Sequence, residues 1–301
     1  MHNPRRTARF RALIADGKLH VRPSAYDALS AKILERSGFD VIGVSGYCVS
    51  VSMLGKPDVG LVTMSETARV CRDICKSVSI PVMVDADAGY GDALNAMRTV
   101  DAIIEAGAGG LFIEDQIEPK RCGHVQGKQL LPFAEAVAKI RGAARVRDEL
   151  DRDFVLMART DARGAVGGSF EEAVRRAKAY LDAGADMIFP EGLLSADEIG
   201  RFVAAIDAPV SYNRTGVSPM LGLDELRRLG VRFVSNAGGT FRAATRAVWD
   251  YYHGLKAEDP GKPPRPEPAD NHPLGNLDIF LGHERLERID RELHEASRRV
   301  D

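Results

Sequence analysis

Neither sign of charge dominates this chain. Its 41 Lys and Arg against 43 Asp and Glu leave a formal net charge of −2 over 301 residues, which gives no support for binding nucleic acid or an anionic membrane. Long apolar runs are missing too. No stretch is long enough to span a bilayer, and the opening MHNPRRTARFRALIADGKLH lacks the apolar segment of a signal peptide. Cysteine is scarce. Cys48, Cys71, Cys75 and Cys122 are too few for a disulfide framework in a chain this long, and they read as reduced thiols in a cytoplasmic setting. What remains, 45% hydrophobic and 28% charged, is ordinary for a globular protein. The length fits a barrel of roughly 250 residues with an appendage.

Short apolar runs alternate with longer helical patterns almost from end to end. LHVRPS, VIGVSG, PVMVDAD, GLFIED, FVLMARTD, MIFPEG, PVSYNR and RFVSNAG are the candidate strands. Amphipathic segments such as NAMRTVDAIIEAGAGG and SFEEAVRRAKAYLDAGAD lie between them, several ending in the glycine of an α-to-β connection. Eight such units with nearly continuous apolar strands predict an α/β fold, a (β/α)8 TIM-type barrel over residues 1–251. A doubly wound open sheet is the alternative. Residues 252–301 differ: KAEDPGKPPRPEPADNHPLGN reads as an extended linker. Beyond it Leu286, Ile289, Leu293 and Ala296 recur at helical spacing. That apolar seam needs a partner, on its own barrel or on a neighbouring subunit. Cys71 and Cys75, one turn apart in RVCRDICKSV, read as half-buried helix residues.

The C-terminal ends of barrel strands carry the active site. Here they read Ser45-Gly46, Asp85-Ala86-Asp87, Glu114-Asp115, Arg159-Thr160-Asp161, Glu191 and Asn213-Arg214-Thr215. Residues two apart on a strand share a face, so Asp85 pairs with Asp87, Arg159 with Asp161 and Asn213 with Thr215. Two carboxylates held together beside Glu114 repel unless protons or a cation compensate. A hard divalent ion is the simplest compensation, and Mg²⁺ suits a site with few protein ligands and several waters. Pairing of the acids with Arg159 and solvent is the plainer reading. Cys122-Gly123-His124 offers too few ligands for zinc, and no Cys-x-x-Cys is present for redox pairing. Lys120, Arg121 and His124 surround Cys122 with groups that favour its thiolate, in a loop after a strand, which suits a proton donor or acceptor. An inert loop thiol is the alternative.

VDADAGYG, IEDQ, PKRCGH, ARTDA and FPEG, in this order and at these separations, resemble the isocitrate lyase and phosphoenolpyruvate mutase superfamily. The likeness runs from about residue 8 to about residue 250, nearest to the short methylisocitrate lyase, dimethylmalate lyase and petal-death-like groups. The resemblance implies Mg²⁺, with Mn²⁺ the substitute, held by Asp87 with Asp85, Asp58 and Glu114 around it. It implies a substrate carboxylate cradled by Ser45, Gly46 and Tyr47, and a pocket completed by Arg159, Asn213, Thr215, Gly123 and His124. Cys122 becomes the general acid, and Glu191 orients Arg159 or the cysteine loop. Lys120 and His124 complete the expected catalytic group. Relatives of this kind exchange their last barrel helix and form tetramers, so a homotetramer built from dimers is expected. Two positions depart from the methylisocitrate lyases. Gly43 stands where they have a tyrosine, and Gly216 stands where they have a glutamate.

The expected activity is Mg²⁺-dependent cleavage of a malate- or isocitrate-like 2-hydroxy acid to pyruvate or a related 2-oxo acid plus a carboxylic acid. The enzymatic alternative is an oxaloacetate or acylpyruvate hydrolase or decarboxylase on the same platform. A barrel that binds small carboxylates without turnover is the alternative outside enzymology.

Overall fold

The computed structural model describes residues 3–121, 127–214, 216–257 and 274–297. Its chain divides into two compact units, Met1–Ala244 and Thr245–Asp301.

The first unit holds all eight strands: β1 His20–Ala25, β2 Ile42–Val44, β3 Val82–Asp85, β4 Gly110–Glu114, β5 Val155–Thr160, β6 Met187–Pro190, β7 Ser211–Asn213 and β8 Phe233–Asn236. They pair in parallel in the order β6-β5-β4-β3-β2-β1-β8-β7, and a lone parallel bridge between Ile188 and Val210 brings β6 to β7. This is the predicted barrel. Val, Ile, Met and Phe dominate the strands because both faces are covered: one packs on the helices, the other fills the lumen. Lumen residues Met83, Phe112, Val155, Met157, Met187, Phe189 and Phe233 form a separate cluster. Phe10 from the helix Pro4–Ala15 closes that cluster from below. Gly110 leaves room there, since a Cβ would fall 2.5 Å from the Val155 carbonyl oxygen and 3.2 Å from the Phe10 ring. The Arg6 guanidinium fixes the plugging helix through the carbonyls of Cys75, Val78 and Gly107.

Local chemistry sets the helix starts that aim the loops. Asp27, Thr63 and Asp92 each accept from a backbone N–H three residues on, in reciprocal capping boxes with Ser30, Glu66 and Asn95. Gly107, at φ 92°, ends Ala93–Ala106 and turns the chain into β4. Cys71 and Cys75 in Met64–Ser77 are fully buried, deeper than the half-burial predicted, because the helix face they share packs inward.

The division falls inside the helix Gly239–Lys256, none of whose residues is buried. The second unit carries the end of that helix, a short helix Leu277–Leu281 and the helix His283–Ser297. The predicted seam of Leu286, Ile289 and Leu293 lies on the longer helix, and Gly282 (φ 93°) separates that helix from the short one before it. Leu286 and Leu293 are exposed on the longer one and Ile289 is partly so. Most of the proline-rich linker lies outside the described residues, as does the side chain of Ala296. Among the described residues no helix is long and apolar enough to cross a membrane.

Candidate active site

Acids gather at the C-terminal mouth of the barrel. Asp85 ends β3, and its two carboxylate oxygens accept from the backbone N–H of Gly46 (3.1 Å) and of Asp87 (3.2 Å). A side chain at Gly46 would crowd the site, since a Cβ would lie 3.1 Å from oxygens of both Asp85 and Asp87. Asp87 reaches its place by a route that strand alternation did not foresee. The chain has left β3, and Asp87 adopts φ 47°, a left-handed conformation that side-chain-bearing residues rarely take. Tyr90 is left-handed as well, at φ 59°. Neighbouring helices hold this turn rigid. Lys139 Nζ donates to the Ala88 carbonyl (2.6 Å), Thr99 Oγ1 to the Gly89 carbonyl (3.2 Å), and the Tyr90 and Thr67 hydroxyls meet at 2.7 Å.

Lys120 lies among these acids. Its Nζ stands 2.8 Å from Asp58 Oδ1 and 2.5 Å from Asp87 Oδ1, with the side chain almost wholly buried. The sequence placed Lys120 beside Cys122 as a source of positive potential; its ammonium in fact faces the acid cluster. Burial alone would push its pKa down, but Asp87, Glu114, Asp85 and Asp58 together raise it well above the ordinary value. Burial likewise pushes the Asp87 carboxyl up to about 6 despite the opposing Lys120 charge, with Asp85 adding to the rise. Glu114 is raised well above its usual range, again by burial, although Arg159 and Lys120 oppose it.

Across the mouth, Arg159 near the end of β5 is fixed by three carboxylates. Asp161 accepts from its Nε (2.9 Å) and Nη2 (3.0 Å), Glu114 Oε2 lies 3.3 Å away, and Glu191 Oε2 lies 3.7 Å away. Burial would raise Asp161, yet Arg159 and Lys128 outweigh it and hold the carboxyl far below the carboxylate range. Lys128 Nζ, 2.8 Å from Asp161, ties the end of the cysteine loop to this network. Glu191 also accepts from Asn213 Nδ2 (3.3 Å). Glu114 Oε1 and Glu191 Oε1 are buried with no partner among the described residues. Asp115, next to Glu114, faces the other way. It accepts from Thr160 Oγ1, the Asp161 N–H and the Tyr180 hydroxyl, at 2.8, 2.9 and 2.7 Å, and so anchors the end of β5.

Ser45 caps the helix Gly46–Val49 by accepting from the Cys48 N–H, and Tyr47 packs edge-on against Phe241. Cys122, Gly123, His124 and Thr215 lie outside the described residues. The structure thus draws together Ser45, Gly46, Asp58, Asp85, Asp87, Glu114, Lys120, Arg159, Glu191 and Asn213, all at one end of the barrel. Sequence reasoning left out Lys128, and it also left out Arg22, which lies under the site. A charged residue inside an apolar strand was the available signal for Arg22; for Lys128 there was none.

Among the described residues, no three acid, His or Cys side chains converge tightly enough to ligate an ion unaided. The donor set nevertheless fits Mg²⁺, which keeps several waters and takes one or two carboxylates directly. A cationic Nζ between Asp58 and Asp87 marks where positive charge is favoured, and the unpartnered Glu114 oxygen is an open acceptor beside it.

Residues 10–255 match the family described as phosphoenolpyruvate phosphomutase. The chain is 43% identical over 239 residues to a 2-methylisocitrate lyase of Aeropyrum pernix, covering 79% of this chain and 75% of that protein. It is 39% identical over 254 residues to the 2,3-dimethylmalate lyase of Eubacterium barkeri, covering 84% and 86%. Among solved structures it superposes on an oxaloacetate acetylhydrolase bound to 3,3-difluorooxalacetate with a TM-score of 0.87, at 30% identity over 97% of this chain and 98% of that one. A phosphonopyruvate hydrolase complexed with oxalate and Mg²⁺ superposes with a TM-score of 0.81, at 30% identity over 97% and 99%.

Proposed function

The chain belongs to the phosphoenolpyruvate mutase/isocitrate lyase superfamily, and from that membership we propose that it is a Mg²⁺-dependent carbon–carbon lyase. Its substrate is a malate- or isocitrate-like 2-hydroxy acid, cleaved to pyruvate or a related 2-oxo acid and a carboxylic acid. The observation that carries this reading is a guanidinium, Arg159, locked by three carboxylates opposite an acid cluster that already holds a cation. Relatives at 43% and 39% identity that are themselves lyases support it. The structural likeness to an oxaloacetate acetylhydrolase favours hydrolysis of oxaloacetate as the second reading.

Asp87 would hold the metal most directly, with Asp58, Asp85 and Glu114 around its waters. The ion would supply acidification of the substrate's 2-hydroxyl and a clamp on its carboxylate. This chain's residues do the rest. Gly46 and Ser45 receive the carboxylate at the start of their helix, with Tyr47 beside them. Arg159, whose position Asp161 and Glu191 fix, stabilises the negative charge on the C2 oxygen once a carboxylate of the acid cluster has taken the hydroxyl proton, and that oxygen becomes the 2-oxo carbonyl as the C2–C3 bond breaks. Asn213 and Thr215 orient the departing fragment. The electron pair of that bond passes to the fragment, and the Cys122 thiol donates a proton to its carbon, leaving a thiolate. Gly123 and His124 complete the pocket around it.

A homotetramer built from dimers is the assembly we attach to this reading. It gives partners to the uncovered helix Gly239–Lys256, with Trp249 and Tyr252 exposed, and to Leu286 and Leu293. A cytoplasmic setting accords with the free thiols of Cys48, Cys71 and Cys75. The decisive test incubates the enzyme and Mg²⁺ with alkylmalates, dimethylmalate, methylisocitrate and oxaloacetate, and follows release of 2-oxo acid. Cleavage of a 2-hydroxy acid is expected. Turnover of oxaloacetate alone would replace the lyase by the hydrolase.

A further inference from the structure

The floor of the active-site cavity holds a guanidinium that the mechanism above does not use. Arg22 lies in β1, two residues before Ser24, so both side chains enter the lumen. Ser24 is in register with Gly43 of β2. A Cβ on Gly43 would stand 2.9 Å from Ser24 Oγ and 3.5 Å from Arg22 Nη1. The bare backbone at 43 therefore leaves room for the Ser24 hydroxyl, with the Arg22 guanidinium lying beside it.

Arg22 is 2% exposed. Burial lowers its pKa to about 10, with Asp85 opposing, so it stays charged at neutral pH. Arg159, which lines the same cavity, is already paired with three carboxylates. Among the described residues the Arg22 guanidinium makes no hydrogen bond or ion pair, and it lies over the Phe112 ring, 5.7 Å to the centroid. It faces a cavity of about 40 Å³ lined also by Ser24, Ser45, Asp85, Arg159 and Ser235. At about 10–15 Å³ for each water, that volume admits a carboxylate-sized group and little more. A buried cation with open donors, two flanking hydroxyls and room for one small group has the chemistry of an anion receptor.

We infer that Arg22, Ser24 and Ser235 form an anion subsite beneath the reaction centre, selecting a substrate whose barrel-facing substituent ends in a carboxylate rather than an alkyl group. The inference rests on the reading that the cavity takes a 2-hydroxy acid.

Malate and 2-hydroxybutyrate differ by a terminal carboxylate against a methyl, and their affinities can be measured by calorimetry on the intact enzyme in Mg²⁺. The wild type should favour malate by about 10- to 100-fold, the range of a charge-assisted hydrogen bond. Arg22→Met should bring the two near parity chiefly by weakening malate, and Arg22→Lys should restore part of the preference. Ser24→Ala and Ser235→Ala, milder changes on the same floor, should each reduce it and serve if Arg22→Met does not fold. Equal affinities in the wild type would overturn the inference, as would a preference that survives these variants. So would an Arg22→Met enzyme that binds both acids equally worse, since that is the mark of a residue that only balances Asp85. The two readings fail separately. Without lyase activity no acid in the panel is cleaved, yet the malate preference still depends on Arg22. Without the subsite, cleavage persists and that dependence is missing.

Discussion

Replacing Asp161 by Asn removes one charge and almost no volume from the most heavily paired point of the site. The carboxylate accepts two hydrogen bonds from Arg159 and one from Lys128, and it is completely buried. Removing one partner of a buried ion pair costs about 3–5 kcal/mol. The amide keeps one acceptor oxygen, and Glu114 and Glu191 still face Arg159, so the low end, about 3 kcal/mol, is expected. At about 2–4 °C per kcal/mol for a chain of this class, thermal unfolding followed by circular dichroism should shift down by about 6–12 °C at pH 7. The shift also has a signature in pH. Asp161 is held far below its ordinary value in the fold, so its contribution is complete above an unfolded pKa of about 3.9 and fades as pH falls from there toward the folded value. The gap between wild type and variant should stay constant from about pH 8 to 5 and close below about pH 4. Cleavage should fall by about 10²-fold, because a guanidinium displaced by an ångström loses the developing charge. Lys128→Met added to Asp161→Asn should recover part of the stability, since removing both partners costs less than removing one, while leaving activity low. A variant with wild-type melting and wild-type kcat would refute the assignment of Asp161 as the brace of Arg159.

Asp87→Ala should abolish turnover and Mg²⁺ binding while the far-ultraviolet spectrum stays native, and full activity in excess EDTA would remove the metal from the mechanism. Cys122→Ser should bind pyruvate nearly normally and cleave the best alkylmalate about 10²–10⁴-fold more slowly, the usual loss with a general acid. Equal rates with chemistry limiting would move the proton donor to His124 or a water. Deleting residues 275–301 takes away the exposed Leu286–Leu293 helix and should lower the mass measured by light scattering; a truncated enzyme of native mass and activity would dismiss the arm as an assembly element.

The barrel was legible because two signals agree along its length. Strands buried on both faces must be nearly all apolar, and each helix that feeds the next strand must stop, which glycine marks at Gly107 and Gly184. Strand ends were less legible. VIGVSG loses Ser45 and Gly46 to a helix start, and PVMVDAD stops at Asp85. In both places a polar side chain captures backbone N–H groups, Ser45 at Cys48 and Asp85 at Gly46 and Asp87. Such local competition ends a strand earlier than hydrophobicity suggests. The pairing of Asp85 with Asp87 was therefore read correctly from an incorrect premise, because a left-handed residue, not alternation, turns the second acid back toward the first.

Charge balance was the part least accessible to a linear reading. Strand ends showed where acids collect, yet which cation meets which acid depends on segments far apart in the chain: Lys120 on Asp58 and Asp87, Lys128 on Asp161. Arg22 is harder still, because only the closed barrel brings it into one cavity with Asp85 and Arg159. Among the described residues placed here, six carboxylates (Asp58, Asp85, Asp87, Glu114, Asp161, Glu191) share the cavity and its mouth with four cations (Arg22, Lys120, Lys128, Arg159). Two negative charges are left over. Burial raises the Asp87 and Glu114 carboxyls against the pull of Lys120, and Asp85 adds to the rise of both. A divalent cation beside them removes that surplus without protonation and keeps both groups ionised as acceptors. On the reading proposed above, a divalent ion is therefore the charge that best matches these side chains before substrate enters.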